Sequence, residues 1–267
     1  MTLLHLGTSS WSSRDWVGPF YPEGMKSVDF LPHYAQRYGT VEVDSTFYRI
    51  PSAAFCRKWV KDTPDHFRFA MKVTRSITHE KVLEGCEEEW GNYLMAVEEL
   101  GSRLGFLLFQ FGYFNRQSAC PTLSSFLKRL ETFRRICPDR HRYVVEIRNR
   151  NWLEPELFSA LREMDFTLAL VDQEWMPRPG VLWNRFGSDL LTSSVAYIRF
   201  LGERARIERV TKKWGETVLD RSAEMAEWVP ILREMVSQNI PVFAFFNNHY
   251  AGHGPSSIAL FRTFWEA

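Results

Sequence analysis

The stretch VEVDSTFYRIP, residues 41–51, carries the reading of the fold. Valines at 41 and 43 alternate with Glu42 and Asp44, which is the period of a β-strand, and Pro51 stops the run. The two acids stand on one strand face, side by side. At a sheet edge they would face water. In a parallel sheet covered on both sides they would point into a dry interior, where something must neutralise them.

Seven further runs of similar character flank this one. They are LLHLGTSSW (3–11), FRFAMKV (67–73), GFLLFQF (105–111), RYVVEIRN (142–149), FTLALVD (166–172), VAYIRFLG (195–202) and PVFAFFNN (241–248). Between most of them lie segments with helical spacing of apolar residues, at 85–101, 122–136, 153–164 and 216–238. Thr122 and Ser27 are the expected helix N-caps. Residues 173–194, rich in Pro, Gly and Trp, read as a long loop. Eight strands alternating with helices predict an α/β fold, a single (β/α)8 TIM-like barrel over residues 1–267, irregular around 173–194.

Composition narrows the function classes. The 267 residues carry a net charge of +1, so no global field recruits nucleic acid or an anionic membrane. Cys56, Cys86, Cys120 and Cys137 are scattered, which predicts free buried thiols rather than a zinc ribbon or a disulfide scaffold. The N-terminus lacks a signal-peptide pattern and no apolar run reaches the roughly 20 residues of a spanning helix, so a cytoplasmic, soluble protein is expected. No glycine-rich phosphate loop follows the first strand.

Strand parity gives the candidate site. If Val41 and Val43 face helices, Glu42 and Asp44 face inward. The same count sends Lys72, Gln110, Glu146, Arg148, Asp172 and Arg199 inward, with Asn247 or Asn248 at the end of the last strand. Barrel interiors are normally layers of Val, Ile and Leu. Four carboxylates among three cations must pair, because an unpaired buried charge costs several kcal/mol. Since buried ion networks stabilise little more than apolar packing, a site is the better reason for this one.

Six ordered motifs also carry a resemblance: GTSSW with Trp16, Gly18, Phe20, Tyr21 and Pro22; VEVDSTFYRIP; FAMKVTRSITHEKVL; LLFQ; VEIRNRNW; and FNNHYAGHGP. The chain resembles the YecE-like family, a domain of unknown function with a TIM-barrel fold. The resemblance implies that fold and these positions, but no reaction. The chain departs from the family pattern at Asp44, where Asn is usual, after Gln110, where Pro is common, and at Asn149, where His is frequent.

The chemistry expected is that of a hydrolase or lyase acting on a phosphorylated or sugar-like small molecule. Glu42 or Asp44 paired with Glu146 or Asp172 would supply acid and base, Glu146 being the preferred base. Lys72 as an amine nucleophile is disfavoured by its acidic neighbours. Arg148, Arg199, His249 and a helix start at Pro255 would hold an anion. Tyr48, Trp152 and Trp16 would stack the ligand, with His79 and Gln110 beside it. Zinc is not expected, because the strand-end carboxylates are interleaved with competing cations. A weakly held divalent cation such as Mg²⁺ is compatible with the set. Nucleic-acid binding or processing, as in an endonuclease-like barrel, and non-catalytic small-molecule binding are the alternatives.

Overall fold

The computed structural model describes residues 3–267. Its strands are β1 Leu4–Thr8, β2 Thr40–Val43, β3 Arg68–Lys72, β4 Leu104–Gln110, β5 Tyr143–Glu146, β6 Phe166–Asp172, β7 Ala196–Phe200 and β8 Val242–Phe246. All eight expected runs form strands. They pair in parallel in the order β1-β8-β7-β6-β5-β4-β3-β2, giving a nearly closed α/β barrel.

The helices are α1 Phe30–Ala35, α2 Ala53–Lys61, α3 Glu87–Val97, α4 Leu123–Arg134, α5 Pro155–Glu163, α6 Pro179–Phe186, α7 Arg204–Val210, α8 Ser222–Ser237, α9 Asn248–Ala251 and α10 Gly254–Glu266. Thr122 caps α4 in a reciprocal capping box with Ser125, as its position predicted. Ser27 does not act as a cap. It opens a short 3₁₀ turn, and Asp29 occupies the cap position of α1 without a side-chain bond. The expected loop at 173–194 contains α6, which starts at Pro179, and a following 3₁₀ turn to Leu190. Proline in a first helical turn is favourable rather than disruptive, so the Pro signal there marked a start and not a break.

The one gap in the ladder lies between β1 and β2. Tyr34 spans it: its hydroxyl accepts from the Thr8 N–H at 2.8 Å and donates to the Thr40 carbonyl at 3.1 Å. Gly7 allows this close approach, since a Cβ there would sit 2.3 Å from the Thr40 carbonyl oxygen.

The lower barrel is apolar, filled by Ala70, Phe106, Leu108, Val144, Ala169, Val171, Tyr197, Phe243 and Phe245. A larger core lies between the strands and the helices. The buried ion network of Arg199, Glu42 and Glu146 lies in the layer above, towards the C-terminal strand ends, where barrel sites are built. All four cysteines are free and buried. Among the described residues no helix is long and apolar enough to cross a membrane.

Candidate functional site

Arg199 organises the mouth. Tyr197 and Arg199 share one face of β7, and this parity carries the guanidinium over the apolar interior. Its Nε donates to Glu42 Oε2 at 2.8 Å, one terminal nitrogen donates to Glu42 Oε1, and the other donates to Glu146. Asp44 lies 3.3 Å away. Tyr197 donates its hydroxyl to Glu42 Oε2 at 2.7 Å, and Arg148 reaches Glu146 at 2.5 Å. Lys72 stands 3.7 Å from Asp44 and 4.5 Å from the centre of the Phe47 ring. Asn247 closes the group, its Nδ2 lying 3.4 Å from Asp44.

One guanidinium serves three carboxylates, and the proton affinities of Glu42 and Glu146 are set apart. Burial pushes the Glu42 carboxyl up, with Asp44 adding to the rise and Arg199 opposing it. Burial also works against ionised Glu146, but Arg148 and Arg199 outweigh it and hold the carboxyl below its ordinary value. Burial disfavours the Arg199 charge too, yet Glu146, Glu42 and Asp44 keep it firmly protonated. Side-chain exposure decides which acid meets a ligand: Glu42 and Glu146 are at 0%, whereas Asp44 is at 30%.

Above this layer opens a cleft of about 620 Å³. Asp44, Phe47, Tyr48, Lys72, Arg75, His79, Gln110, Arg148, Gln173, Arg199, Arg204, Asn247 and His249 line it. A second hollow of about 900 Å³ adjoins it and shares Gln110 and Arg148. His79 sits on a single π-helical turn, Ser76–Glu80, a rare element often found at functional sites. Burial, with Lys72, Arg75 and Arg148 nearby, pushes its imidazole down to about 4, so it is neutral at pH 7. His249 is held at the rim by the side-chain Oδ1 of Asn247, 2.7 Å from its Nδ1.

The structure therefore gathers Glu42, Asp44, Lys72, Gln110, Glu146, Arg148, Arg199, Asn247, His249, His79 and Tyr48 in or under one cleft. Four expected site residues are elsewhere. Asp172 points to the helix layer, where it accepts from Trp228 Nε1 at 2.9 Å and from the Tyr250 hydroxyl at 3.0 Å. Val171 is the inward residue at that level, so the parity count slipped by one on β6. Asn248 caps backbone instead, its Oδ1 accepting from the Gly254 N–H at 2.9 Å. Trp152 is buried and stacks on Phe114 at 5.4 Å, and Trp16 is buried against Phe20, Tyr21 and His253.

The expected anion site at the start of α10 is also filled by the chain itself. Gly254 N–H goes to Asn248, Ser256 N–H to His253 Nδ1 and Ser257 N–H to the His253 carbonyl, while Pro255 has no N–H. Among the described residues no three His, Cys, Asp or Glu side chains cluster as a metal would require. The sequence reading missed Tyr197, Gln173 and Arg75. Tyr197 precedes inward Arg199 by two residues, and Gln173 follows inward Val171 by two, so correct parity would have found both.

The family model described as protein of unknown function DUF72 matches residues 5–267. The chain belongs to the DUF72 family. UPF0759 protein YunF of Bacillus subtilis is 24% identical over 269 residues, covering 94% of this chain and 90% of that protein. UPF0759 protein YecE of Escherichia coli K12 is 26% identical over 147 residues, 55% of this chain and 49% of its own length. The YecE-like resemblance of the motifs thus holds. The DUF72 family protein TM1631 of Thermotoga maritima superposes with a TM-score of 0.76 at 26% identity, over 99% of both chains. A DUF72 family protein of Enterococcus faecalis (EF0366) gives 0.75 at 23% identity, over 99% of this chain and 96% of the other.

Proposed function

We propose that the barrel mouth of this DUF72 protein binds a small molecule bearing a phosphate or carboxylate group and acts on it as a hydrolase or lyase. One observation carries the reading: Asp44 is the only carboxylate among the cleft-lining residues, against Lys72, Arg75, Arg148, Arg199 and Arg204, of which Arg75 and Arg204 pair with Glu80 and Glu208 beyond the lining. Glu42 and Glu146 neutralise Arg199 from below and are closed off from the cleft. An anion entering above meets Lys72 and Arg148, whose side chains remain partly exposed at 13% and 16%.

In this reading Lys72 and Arg148 clamp the anion, and Gln110 and Asn247 orient the remainder. Asp44 is the acid–base group, a role that moves to it from the sealed Glu146. Proton transfer by one positioned carboxylate contributes roughly 10²–10⁴-fold, and fixed cations stabilise charge developing on a phosphoryl or carboxylate group. In the segment after β7, Arg204 and Lys212 both pair with Glu208, which lowers the net positive charge a nucleic acid would meet there.

Inorganic phosphate tests the anion site. Calorimetric titration is expected to give saturable binding that Lys72→Met and Arg148→Met each weaken by about tenfold, the loss of one charge-assisted hydrogen bond. Binding that neither substitution alters, or none at millimolar phosphate, rejects the proposal. A screen of phosphate monoesters and glycosides then tests for turnover.

A further inference from the structure

Four aromatic side chains are largely exposed among the described residues: Tyr48, Phe55, Tyr113 and Trp175. Three of them, Tyr48, Tyr113 and Trp175, stand at the barrel mouth, in the segments that follow β2, β4 and β6. Exposing an indole to water is unfavourable, since aromatic side chains gain most from burial and from contact with another ring face. Trp175 is 49% exposed and Tyr113 is 67% exposed, and among the described residues neither ring packs on another.

Both rings line the adjoining hollow, together with Gln110, Arg148, Arg150 and Asn151. No carboxylate lines it. Arg150 has no ion-pair partner among the described residues, and Arg148 Nε is buried without a hydrogen-bond acceptor. Planar guanidinium groups stack on flat rings and donate to oxygens, and the amides of Gln110 and Asn151 offer both donors and acceptors. The hollow's volume, about 900 Å³, leaves ample room for a group the size of a nucleoside or a sugar.

We infer that the ligand has two parts: an anionic group over Lys72 and Arg148, joined to a ring that lies against Trp175 and Tyr113 in the adjoining hollow. Arg148 and Gln110 belong to both hollows and sit at the junction. The inference rests on the anion-binding reading and specifies the other end of the same ligand. Arg148 and Arg150 favour a neutral ring over a cationic one. The shared chemistry is a neutral ring with a stacking face, met equally by a nucleobase and by a pyranose.

Calorimetric titration with inorganic phosphate, adenosine monophosphate and glucose 6-phosphate tests it. At least one ring-bearing probe is expected to bind about tenfold or more tighter than inorganic phosphate, the scale of one ring stacked on an aromatic side chain. Trp175→Ala and Tyr113→Ala are expected to remove that gain and leave inorganic phosphate within about twofold, with circular dichroism unchanged because both side chains are exposed. The tighter of the two ring-bearing probes tells nucleobase from sugar. If inorganic phosphate binds and the ring adds nothing, or if the alanine variants weaken all three probes equally, this inference falls and the anion site stands. If none of the three binds, both fall.

Discussion

Replacing Arg199 by methionine puts the ion network to its most direct test. Methionine fills similar apolar space but leaves Glu42 and Glu146, both fully buried, without their shared cation. Glu146 keeps Arg148 at 2.5 Å, and Glu42 keeps only the Tyr197 hydroxyl at 2.7 Å. Removing one partner of a buried ion pair costs about 3–5 kcal/mol, because a desolvated charge is left behind. For a chain of this size that corresponds to a fall in Tm of very roughly 6–20 °C.

The loss must also depend on pH. Without Arg199, the least costly response is for Glu42 to take up a proton, which raises further a carboxyl that burial already holds high. A carboxyl raised in the folded state binds more protons there than in the unfolded chain. Stability therefore falls as pH rises from the unfolded value through the folded one. Chemical denaturation of Arg199→Met across pH 5–8 should show a larger deficit at the alkaline end. Glu42→Gln should cost less than Arg199→Met, since Arg199 keeps Glu146 and Asp44, and the double variant should recover part of the loss. A deficit for Arg199→Met below about 1 kcal/mol, or one that does not change with pH, would refute the reasoning.

Three further outcomes follow. Asp44→Asn removes the acid 3.7 Å from Lys72 and should tighten phosphate binding several-fold by titration while abolishing turnover; weaker binding would contradict the site's charge logic. Trp152→Ala should lower stability by about 3–5 kcal/mol in denaturant and leave phosphate affinity unchanged, as suits a buried core residue. Burial pushes the His253 imidazole down from 6.5 to about 4, so the unfolded chain takes up that proton first and stability should fall as pH drops through this window. His253→Asn, which retains a capping side chain, should flatten that fall in urea titrations at pH 4–7, and an unchanged slope would remove His253 from the account.

The barrel was legible because its signal is repeated. Eight β-branched or aromatic runs set between helical periods leave few arrangements, and one misread boundary does not alter the count. The capping box at Thr122 was equally local. Individual orientation was harder, as β6 shows. FTLALVD is apolar on both faces, as expected of a strand covered on both sides, so its pattern could not say whether Val171 or Asp172 points inward. On β2 the alternation was clear and the inward placement of Glu42 was correct. Trp16 and Trp152 misled for a different reason. Their place after strands suggests the mouth, but Trp16 packs against His253 and Trp152 against Phe114, contacts between distant segments that no local pattern encodes.

The same geometry explains why so much charge is kept inside a small barrel. Two buried glutamates on one guanidinium add little stability over apolar packing. What they fix is position: Tyr197 holds Glu42, Glu42 holds Arg199, Glu146 holds both Arg199 and Arg148, and Asp44 rests between Arg199 and Lys72. The cations facing the cleft are thus set from below by acids that a ligand does not reach. Preorganised charge of this kind gives up little reorganisation when an anion binds. Among the cleft-lining residues Asp44 alone carries a carboxylate on the ligand's side of that layer. The cationic floor and the exposed acid are therefore separable features. In the proposed function, anion binding rests on the floor laid down by Glu42, Glu146 and Arg199, and acid–base chemistry on the carboxylate of Asp44 above it.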